Sequence, residues 1–580
     1  MRVLAGIRSA FSVVAVLFWT MVPGMLMLYG AVVPAGWLMP RRRRAFVSAY
    51  MRLMSRGMLG CMRLGGARFE RSGTIPTDEH SVIVMNHQSL LDIPTLVLMS
   101  WPHAPAFVTR MRYARNLPPV STCVQMIGSP MIDPRRDPQA AVELLRRAAR
   151  EQSHGVVLFP EGHRSRDGAL RPFKVAGAQA LLEAHPMPVW VAATDGVGSS
   201  RRLVDFVFNV HRIRSRTEIQ ERMAPPSSAE EIPAVVQRAR DAIAARVELM
   251  RAEPGLLPPP LVAAVRRQAL VAPAADVVAA ARALAEAAGG EVDAVVFFGS
   301  RRTGARPEPG SAYDFFVAAR DERAFYSALR RKGLVRRSPR LLAALGRVLP
   351  PTSIALTLPG PQGPLHVKCA VSSRRAFERD TSQDRRDHFT LGRLFQPTSL
   401  VYARDAPAED AAVRALARAH ALAYRWVRPW LPGRFDAEAF ARTLLRVSFA
   451  GEVRPEPVAR RVDTLWQAQQ EDLRETYGVL LRELARRGDL REEGDGTYAL
   501  TRPVGRFERA RLFLYFRWSM VRATARWGKH VLSFEGWLDF LLRKARRHSG
   551  QEIELSQRER RAPLLFLWPR VWRYLRNKDR

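Results

Sequence analysis

The stretch Ser81-Val82-Ile83-Val84-Met85-Asn86-His87-Gln88-Ser89-Leu90-Leu91-Asp92 decides how the first half of the chain folds. Residues 81–85 carry no charge and are rich in β-branched types, which reads as a strand buried on both faces. Asn86 and His87 end that run and so stand at the strand's carboxyl end. Imidazole titrates near neutral pH and can take a proton from a hydroxyl. A carboxylate beside it can fix its tautomer and stabilise the imidazolium. On an ideal helix, residues five apart lie about 140° from each other, at about 100° per residue. His87 and Asp92 therefore meet only across a turn, which the strand's end supplies.

Working outward, Gly155-Val156-Val157-Leu158-Phe159 and Pro188-Val189-Trp190-Val191-Ala192 read as strands of the same kind. Pro138 to Glu151 carries Ala, Val and Leu at helical spacing. The alternation predicts an α/β domain with a largely parallel sheet. Ala224-Pro225-Pro226-Ser227-Ser228 predicts a loop before a helix reaching about Ala252. Directly after the second strand comes Phe159-Pro160-Glu161-Gly162-His163-Arg164-Ser165, where ligand contacts are expected at a sheet's carboxyl edge. Arg164 suits bidentate phosphate contact, and Arg166 and Lys174 add to the field. A base beside a cationic loop fits acyl transfer from a thioester to a phosphorylated alcohol. The alcohol itself attacks, so no serine or cysteine nucleophile is required.

The chain has 580 residues, 47% of them hydrophobic, and a net charge of +36 from 91 Lys+Arg against 55 Asp+Glu. That length predicts two or more domains. The charge predicts a polyanionic partner, nucleic acid or an anionic membrane. Cys61, Cys123 and Cys369 are too few for a disulfide framework and fit no zinc spacing. Ala10 to Met39 carries no charge, and roughly 20 apolar residues suffice to cross a bilayer. Arg41-Arg42-Arg43-Arg44 follows, which predicts a membrane location with the rest of the chain on the cytoplasmic face. A secretory signal would be shorter and lack this basic stop. Pro23-Gly24 predicts a kink or a re-entrant hairpin, and a buried core helix is the other reading of the segment.

Four blocks now stand in order: Asn86-His87 with Asp92, Gly128-Ser129-Pro130-Met131-Ile132-Asp133, Phe159 to Ser165, and Met187-Pro188-Val189. Behind an apolar N-terminus they resemble the 1-acylglycerol-3-phosphate acyltransferase family over residues 1–250. The resemblance implies His87 as base, Asp92 as its orienting partner, and Glu161, Gly162 and Arg164 on glycerol phosphate. Arg110 stands where Lys is usual and is implied on the same phosphate. His163 replaces the usual Thr, and Pro134 stands where Arg is common. The acyl donor is implied to be a thioester of coenzyme A or of acyl carrier protein, the latter a candidate partner beside the lipid substrates.

After Pro254 and Pro258-Pro259-Pro260 a second α/β unit begins. Val292 to Phe298 reads as a strand leading into Gly299-Ser300, and Tyr313 to Ala319 as another. A Gly-Ser turn after a strand exposes amides that can hold a triphosphate. Asp314 can then bring Mg²⁺ to those phosphates. Polymerase-β-type nucleotidyltransferases have two acids one apart, and here Ala312 takes the first place. Downstream, His366 to Val371, Leu391 to Pro397 and Ser448 to Arg454 are similar to the mitochondrial-type CDP-diacylglycerol synthases, the translocator-maintenance family, which keep the single Asp. That resemblance covers about residues 265–485. It implies transfer of CMP from CTP to phosphatidic acid, with Gly299 and Ser300 on CTP, Asp314 on the metal, Lys368 neutralising charge, and Arg393 or Arg454 on lipid phosphate.

The expected architecture is a membrane anchor at 1–45, an α/β glycerolipid acyltransferase domain at 46–255, a nucleotidyltransferase-like α/β domain at 261–405, a helical domain at 406–500 and a basic amphipathic tail at 501–580. In the tail, Leu512 to Trp518 and Leu564 to Leu575 mix aromatic residues with Arg, as at headgroup depth. Packing on its own domain is the alternative. Product of the first site would be substrate of the second, which predicts a bifunctional enzyme. An acyltransferase with a non-catalytic nucleotide- or lipid-binding C-terminal module is the competing reading. Nucleic-acid binding is disfavoured by the apolar segment and by the lack of an RNA-binding motif.

Overall fold

The computed structural model describes residues 2–111, 118–165, 168–197, 207, 209–252, 257–299, 301–302, 312–360, 363–382, 385, 387–450, 458–533, 556, 558–559 and 566. Arg166, Ser300 and Arg454 lie outside them, as does most of the tail after Ser533. The chain divides into two compact units, Met1–Leu256 with Arg482–Pro503, and Leu257–Leu481 with Val504–Arg580.

The first unit is built on β1 (Arg68–Ser72), β2 (Val82–Met85), β3 (Ala106–Phe107), β4 (Val156–Leu158), β5 (Val189–Asp195) and β6 (Arg214–Met223). They lie in the order β1-β6-β5-β2-β4-β3, parallel except for the β5–β6 pair. The unbroken apolar runs of β2, β4 and β5 follow from burial on both faces. Val82, Val84, Val156, Leu158, Val189 and Val191 pack against the helices Pro138–Glu151, Val175–Ala184 and Ile232–Ala252. Ile83, Met85, Val157, Trp190 and Ala192 face the other way, onto helix Asp92–Met99 and the N-terminal helices.

Gly6–Leu38, 33 residues, is long and apolar enough to cross a membrane by length and composition. It runs as one rod, about 50 Å at 1.5 Å per residue, through π-turns at Thr20–Gly24 and Leu28–Val32. Pro23 falls inside the first π-turn, so the Pro-Gly pair forms no hairpin. The rod lies on the first unit instead of projecting from it. Ser9, Ser12, Leu28 and Val32 are buried, Trp19 Nε1 donates to Met54 O at 3.3 Å and Tyr50 OH donates to Gly24 O at 3.1 Å. Its outer face is apolar: Phe11, Val14, Phe18, Leu26 and Trp37 are all exposed.

Residues 406–500 do not stay together. Arg482–Pro503 belong to the first unit, and the chemistry that holds them there is ionic. Glu218, on β6, takes Arg487 Nη2 at 2.5 Å and Arg246 Nη2 at 2.6 Å, and the three side chains are 1%, 4% and 9% exposed. Thr74 Oγ1 also donates to Asp489 Oδ1 at 2.7 Å.

The second unit carries β7 (Val292–Phe298), β8 (Tyr313–Ala319), β9 (Thr352–Leu358), β10 (Leu365–Ser373) and β11 (Ser399–Ala403), in the order β9-β10-β8-β7-β11. The β8–β10 pair is parallel and the rest antiparallel. Phe297, Phe315, Val317, Val367 and Cys369 pack against helices Ala275–Ala287, Glu322–Arg331 and Pro339–Val348. Helix Arg506–Ser533 belongs to this unit and is inside out. Beside Leu512, its buried face carries Ser519, Arg526 and Lys529, whereas Phe507, Leu514, Trp518 and Val521 are exposed. Arg522 Nε and Arg526 Nη2 both donate to Asp387 Oδ2, at 2.7 and 2.8 Å. Lys529 Nζ donates to Leu349 O at 2.6 Å and Pro351 O at 2.9 Å.

Candidate active site

β2 ends at Met85, and the chain turns through His87 before entering helix Asp92–Met99. The turn closes the gap that a continuous helix would have left. His87 Nδ1 lies 2.8 Å from Asp92 Oδ2. The same oxygen accepts the amides of Gln88 at 2.9 Å and Ser89 at 2.8 Å. A carboxylate only accepts, so Nδ1 carries the proton and Nε2 keeps its lone pair. The Asp92 side chain is 1% exposed and that of His87 14%, so the acid is sealed in while the ring still reaches the surface. The ring also stacks on Phe159, with centroids 4.1 Å apart and planes 19° from parallel.

The loop after β4 comes to the same place. Its Glu161 is buried and uses both carboxylate oxygens on backbone amides, of His87 at 2.7 Å and of Arg171 at 3.2 Å. Burial pushes the Glu161 carboxyl above its ordinary range, and the two amides pull it part of the way back. Glu161 thus ties the loop to His87. Ser165 N donates to His87 O at 2.8 Å and completes the tie. Gly162 and Arg164 face solvent. Arg110 Nη2 donates to Gly162 O at 3.1 Å, and a Cβ on Gly162 would stand 3.4 Å from Lys174 Nζ. Two cations therefore flank the exposed turn beside the third, Arg164.

Residues 66–193 match the acyltransferase family. A chloroplastic 1-acyl-sn-glycerol-3-phosphate acyltransferase of Brassica napus is 34% identical over 124 residues, which is 21% of this chain and 35% of that relative. The chain thus spans about a third of the length of the curated relative it matches. Among solved structures, the 1-acyl-sn-glycerophosphate (LPA) acyltransferase of Thermotoga maritima aligns with TM-score 0.35 and 20% identity, over 44% of this chain and 100% of that one.

The matched residues 66–193 contain His87, Asp92, Arg110, Glu161, Gly162 and Arg164, all gathered at the carboxyl ends of β2 and β4 or beside them. Sequence reasoning quoted Asn86, Gln88 and Phe159 without giving them roles. Asn86 Nδ2 donates to Thr194 O at 2.9 Å and Asn86 Oδ1 accepts Thr194 N at 2.8 Å, which staples the ends of β2 and β5. Gln88 Nε2 donates to Asp195 Oδ1 at 3.0 Å. Asp195 was missed altogether, although a carboxylate closing an apolar strand at the sheet's carboxyl edge is a readable signal.

The second-unit residues named from sequence also converge in part. Gly299 follows β7 with φ +90°, and a Cβ there would sit 2.7 Å from Asp314 Oδ2. Only glycine meets both demands, the left-handed backbone and the close carboxylate. Asp314 and Lys368 are register partners on β8 and β10. Burial and then Lys368, with Lys529, Arg526 and Arg393 behind it, push His530 down to about 4. Lys368 and Arg393 therefore both direct positive charge at His530 of helix Arg506–Ser533. Arg393 Nη1 donates to Phe389 O at 2.7 Å, and its guanidinium lies 3.8 Å over the Phe389 ring. Among the described residues no group of three or more His, Cys, Asp or Glu is arranged for a metal ion.

Proposed function

We propose that the first unit transfers an acyl group from a thioester, of coenzyme A or acyl carrier protein, to 1-acylglycerol-3-phosphate, giving phosphatidic acid. The observation that carries this reading is His87 Nδ1 at 2.8 Å from a buried Asp92, with Nε2 left as acceptor. Nε2 takes the acceptor's hydroxyl proton as the oxygen attacks the thioester carbonyl. The new C–O bond forms, the C–S bond breaks, and the imidazolium returns the proton to the leaving thiolate. Asp92 stabilises the imidazolium between those steps. Arg110, Arg164 and Lys174 hold the acceptor's phosphate, while Glu161 and Gly162 shape the turn that presents them. The test is acylation of 1-acylglycerol-3-phosphate by the full chain in mixed micelles, read as thiol release, with His87→Ala as control. Equal turnover by the variant removes the proposal.

The reaction is assigned to a membrane surface. Both the Gly6–Leu38 rod and helix Arg506–Ser533 turn apolar side chains outward, an arrangement that suits lipid and not water. Arg41 to Arg44 follow the rod where anionic headgroups would meet them, with the catalytic units on the cytoplasmic side.

For the second unit we infer CMP transfer from CTP to phosphatidic acid. The specific observation is the Asp314 carboxylate set against the Gly299 turn, with Lys368 opposite in register. Mg²⁺ commonly binds through one or two carboxylates with substrate phosphates supplying further ligands. Asp314 offers one such carboxylate to that ion, which would neutralise triphosphate charge. The phosphatidate oxygen is already ionised, so the chain's task is positioning and charge neutralisation. Gly299 and Ser300 are assigned to CTP, Lys368 to the developing charge, and Arg393 and Arg454 to the lipid phosphate. Labelled CTP, Mg²⁺ and phosphatidic acid should give CDP-diacylglycerol with the wild-type chain and none with Asp314→Asn. Equal absence from both leaves the second unit a non-catalytic module.

A further inference from the structure

Helix Ile232–Ala252 lies outside the matched region, yet its last turn reaches the candidate site. Arg251 Nη2 donates to Asp195 Oδ1 at 3.0 Å and to Gly168 O at 2.6 Å. Its Nε lies 3.3 Å from the same carboxylate oxygen. Gln88 Nε2 reaches the same two acceptors, at 3.0 and 3.5 Å. Two acceptors on one side oblige the Gln88 amide to present its NH₂ there. One guanidinium thus bridges the end of β5 and the far end of the loop that carries Arg164, and Gln88, the residue after His87, donates to the same two acceptors.

The helix that delivers Arg251 is itself fixed. Val235, Ala239, Ile243, Val247 and Met250 are buried in the core beneath it, and Arg246 is held by the buried Glu218. Arg251 therefore starts from a rigid position, unlike an ordinary surface arginine. Gly168, whose carbonyl it holds, has φ +78° and is buried. The loop is thus tied at three points: at Glu161 to His87 and Arg171, at Ser165 to His87 and Ala169, and at Gly168 to Arg251. The first two ties come from the loop's own motif. The third comes from a helix far along the chain.

We propose that Arg251 is a positioning residue that latches the Glu161–Arg171 loop, so that Arg164 is preorganised for the phosphate of the acyl acceptor. It also neutralises Asp195, whose charge would otherwise oppose that phosphate. The proposal rests on the acyltransferase reading for its substrate and on geometry alone for the latch. Losing the latch weakens acceptor binding but leaves the base pair untouched, because Asp92 is held by its own backbone amides.

Two measurements on the full chain in mixed micelles test it. In Arg251→Ala, KM for 1-acylglycerol-3-phosphate should rise about tenfold, the scale of one charge-assisted hydrogen bond. The kcat should stay within about twofold and KM for the thioester should not move. Arg251→Lys, which keeps the charge but not the fork, should fall between. In parallel, amide hydrogen exchange should quicken over the described residues of 161–171 and not over Val82–Met85. A drop in kcat at constant acceptor KM, or unchanged exchange in the loop, overturns the proposal. If the wild-type chain acylates no lysophosphatidate, the substrate assignment fails on its own. The exchange arm then decides the latch: selective loosening upholds it, and none removes it.

Discussion

Replacing Asp92 by Asn isolates one physical effect, because of how the carboxylate is held. All three donors, His87 Nδ1, Gln88 N and Ser89 N, meet the same oxygen, Oδ2, at 2.8–2.9 Å. The two backbone amides cannot turn into acceptors. An asparagine must therefore place its own oxygen where Oδ2 was, and that oxygen still accepts the Nδ1 proton. Orientation and tautomer survive while the negative charge is lost. Two unit charges about 4 Å apart at an effective dielectric near 20 interact by about 4 kcal/mol. At 1.36 kcal/mol per decade that is about a 10³-fold loss of kcat. Asp92→Ala removes orientation as well and should reach about 10⁴-fold or more, the scale seen where a triad's tautomer is lost. The assay is thiol release from an acyl thioester at saturating lysophosphatidate, run on the full chain in mixed micelles. Two results refute the reasoning. If the Asn variant is as dead as the Ala variant, the shared oxygen does not preserve the tautomer. If it lies within tenfold of wild type, the charge of Asp92 does not stabilise the imidazolium.

Glu218→Gln leaves Arg246 and Arg487, 9% and 4% exposed, facing a neutral amide. Breaking such a buried set costs about 3–5 kcal/mol, so thermal scanning should show a clear fall in the first unit's melting. Glu79→Gln, which breaks only the exposed pair with Arg222, should cost almost nothing; equal melting of the two variants would count against the buried trio. Acid should loosen the amino edge of the first sheet. Burial, then Arg44, and after it the neighbouring His103 and His80, push His154 down to about 4, and burial also lowers His80 and His103. The unfolded chain binds these protons first, so stability falls as pH drops from about 6.5 toward 4 and is unaffected above. Melting measured across that window tests the sign, and a rise on acidification contradicts it. A polarity-sensitive fluorophore on Trp518→Cys should shift to the blue when the chain meets anionic vesicles; an unchanged spectrum would mean that the outward face of helix Arg506–Ser533 stays in water.

The strands that a reader of the sequence finds are those whose burial is local in origin. β2, β4 and β5 up to Ala193 are apolar runs because both faces are covered. β1 and β6 carry no strand signal in their sequences. Their sequences, Arg68-Phe69-Glu70-Arg71-Ser72 and Arg214 to Met223, are full of charge. Glu218 is buried in β6 only because Arg246 and Arg487 reach it from a helix and from a segment near the far end of the chain. The same ionic set draws Arg482–Pro503 into the first unit. No window of sequence around residue 218 or residue 487 contains that information. The inside-out character of helix Arg506–Ser533 is invisible for a related reason. Its arginines look solvated until Asp387 and the carbonyls of Leu349 to Pro351 are placed beneath them.

The candidate site divides along the same line. His87 and Asp92 lie within one turn, so their spacing carries their geometry, and the loop motif follows its strand directly. What sequence did not supply is the support: the Asn86–Thr194 staple, the Phe159 stack, the Gln88–Asp195–Arg251 bridge. Each joins residues from separate strands or helices. A match confined to residues 66–193 therefore takes in the groups to which acyl transfer is assigned above and leaves out Asp195 and Arg251, proposed above to support them. If preorganisation of the phosphate loop matters to this chemistry, substitutions at residues 195 and 251 should act on acceptor KM and those at 87 and 92 on kcat. Substitutions at 195 and 251 that changed neither parameter would show that the loop needs no outside support, and an effect on kcat alone would place their action at His87 and Asp92 and not at the loop.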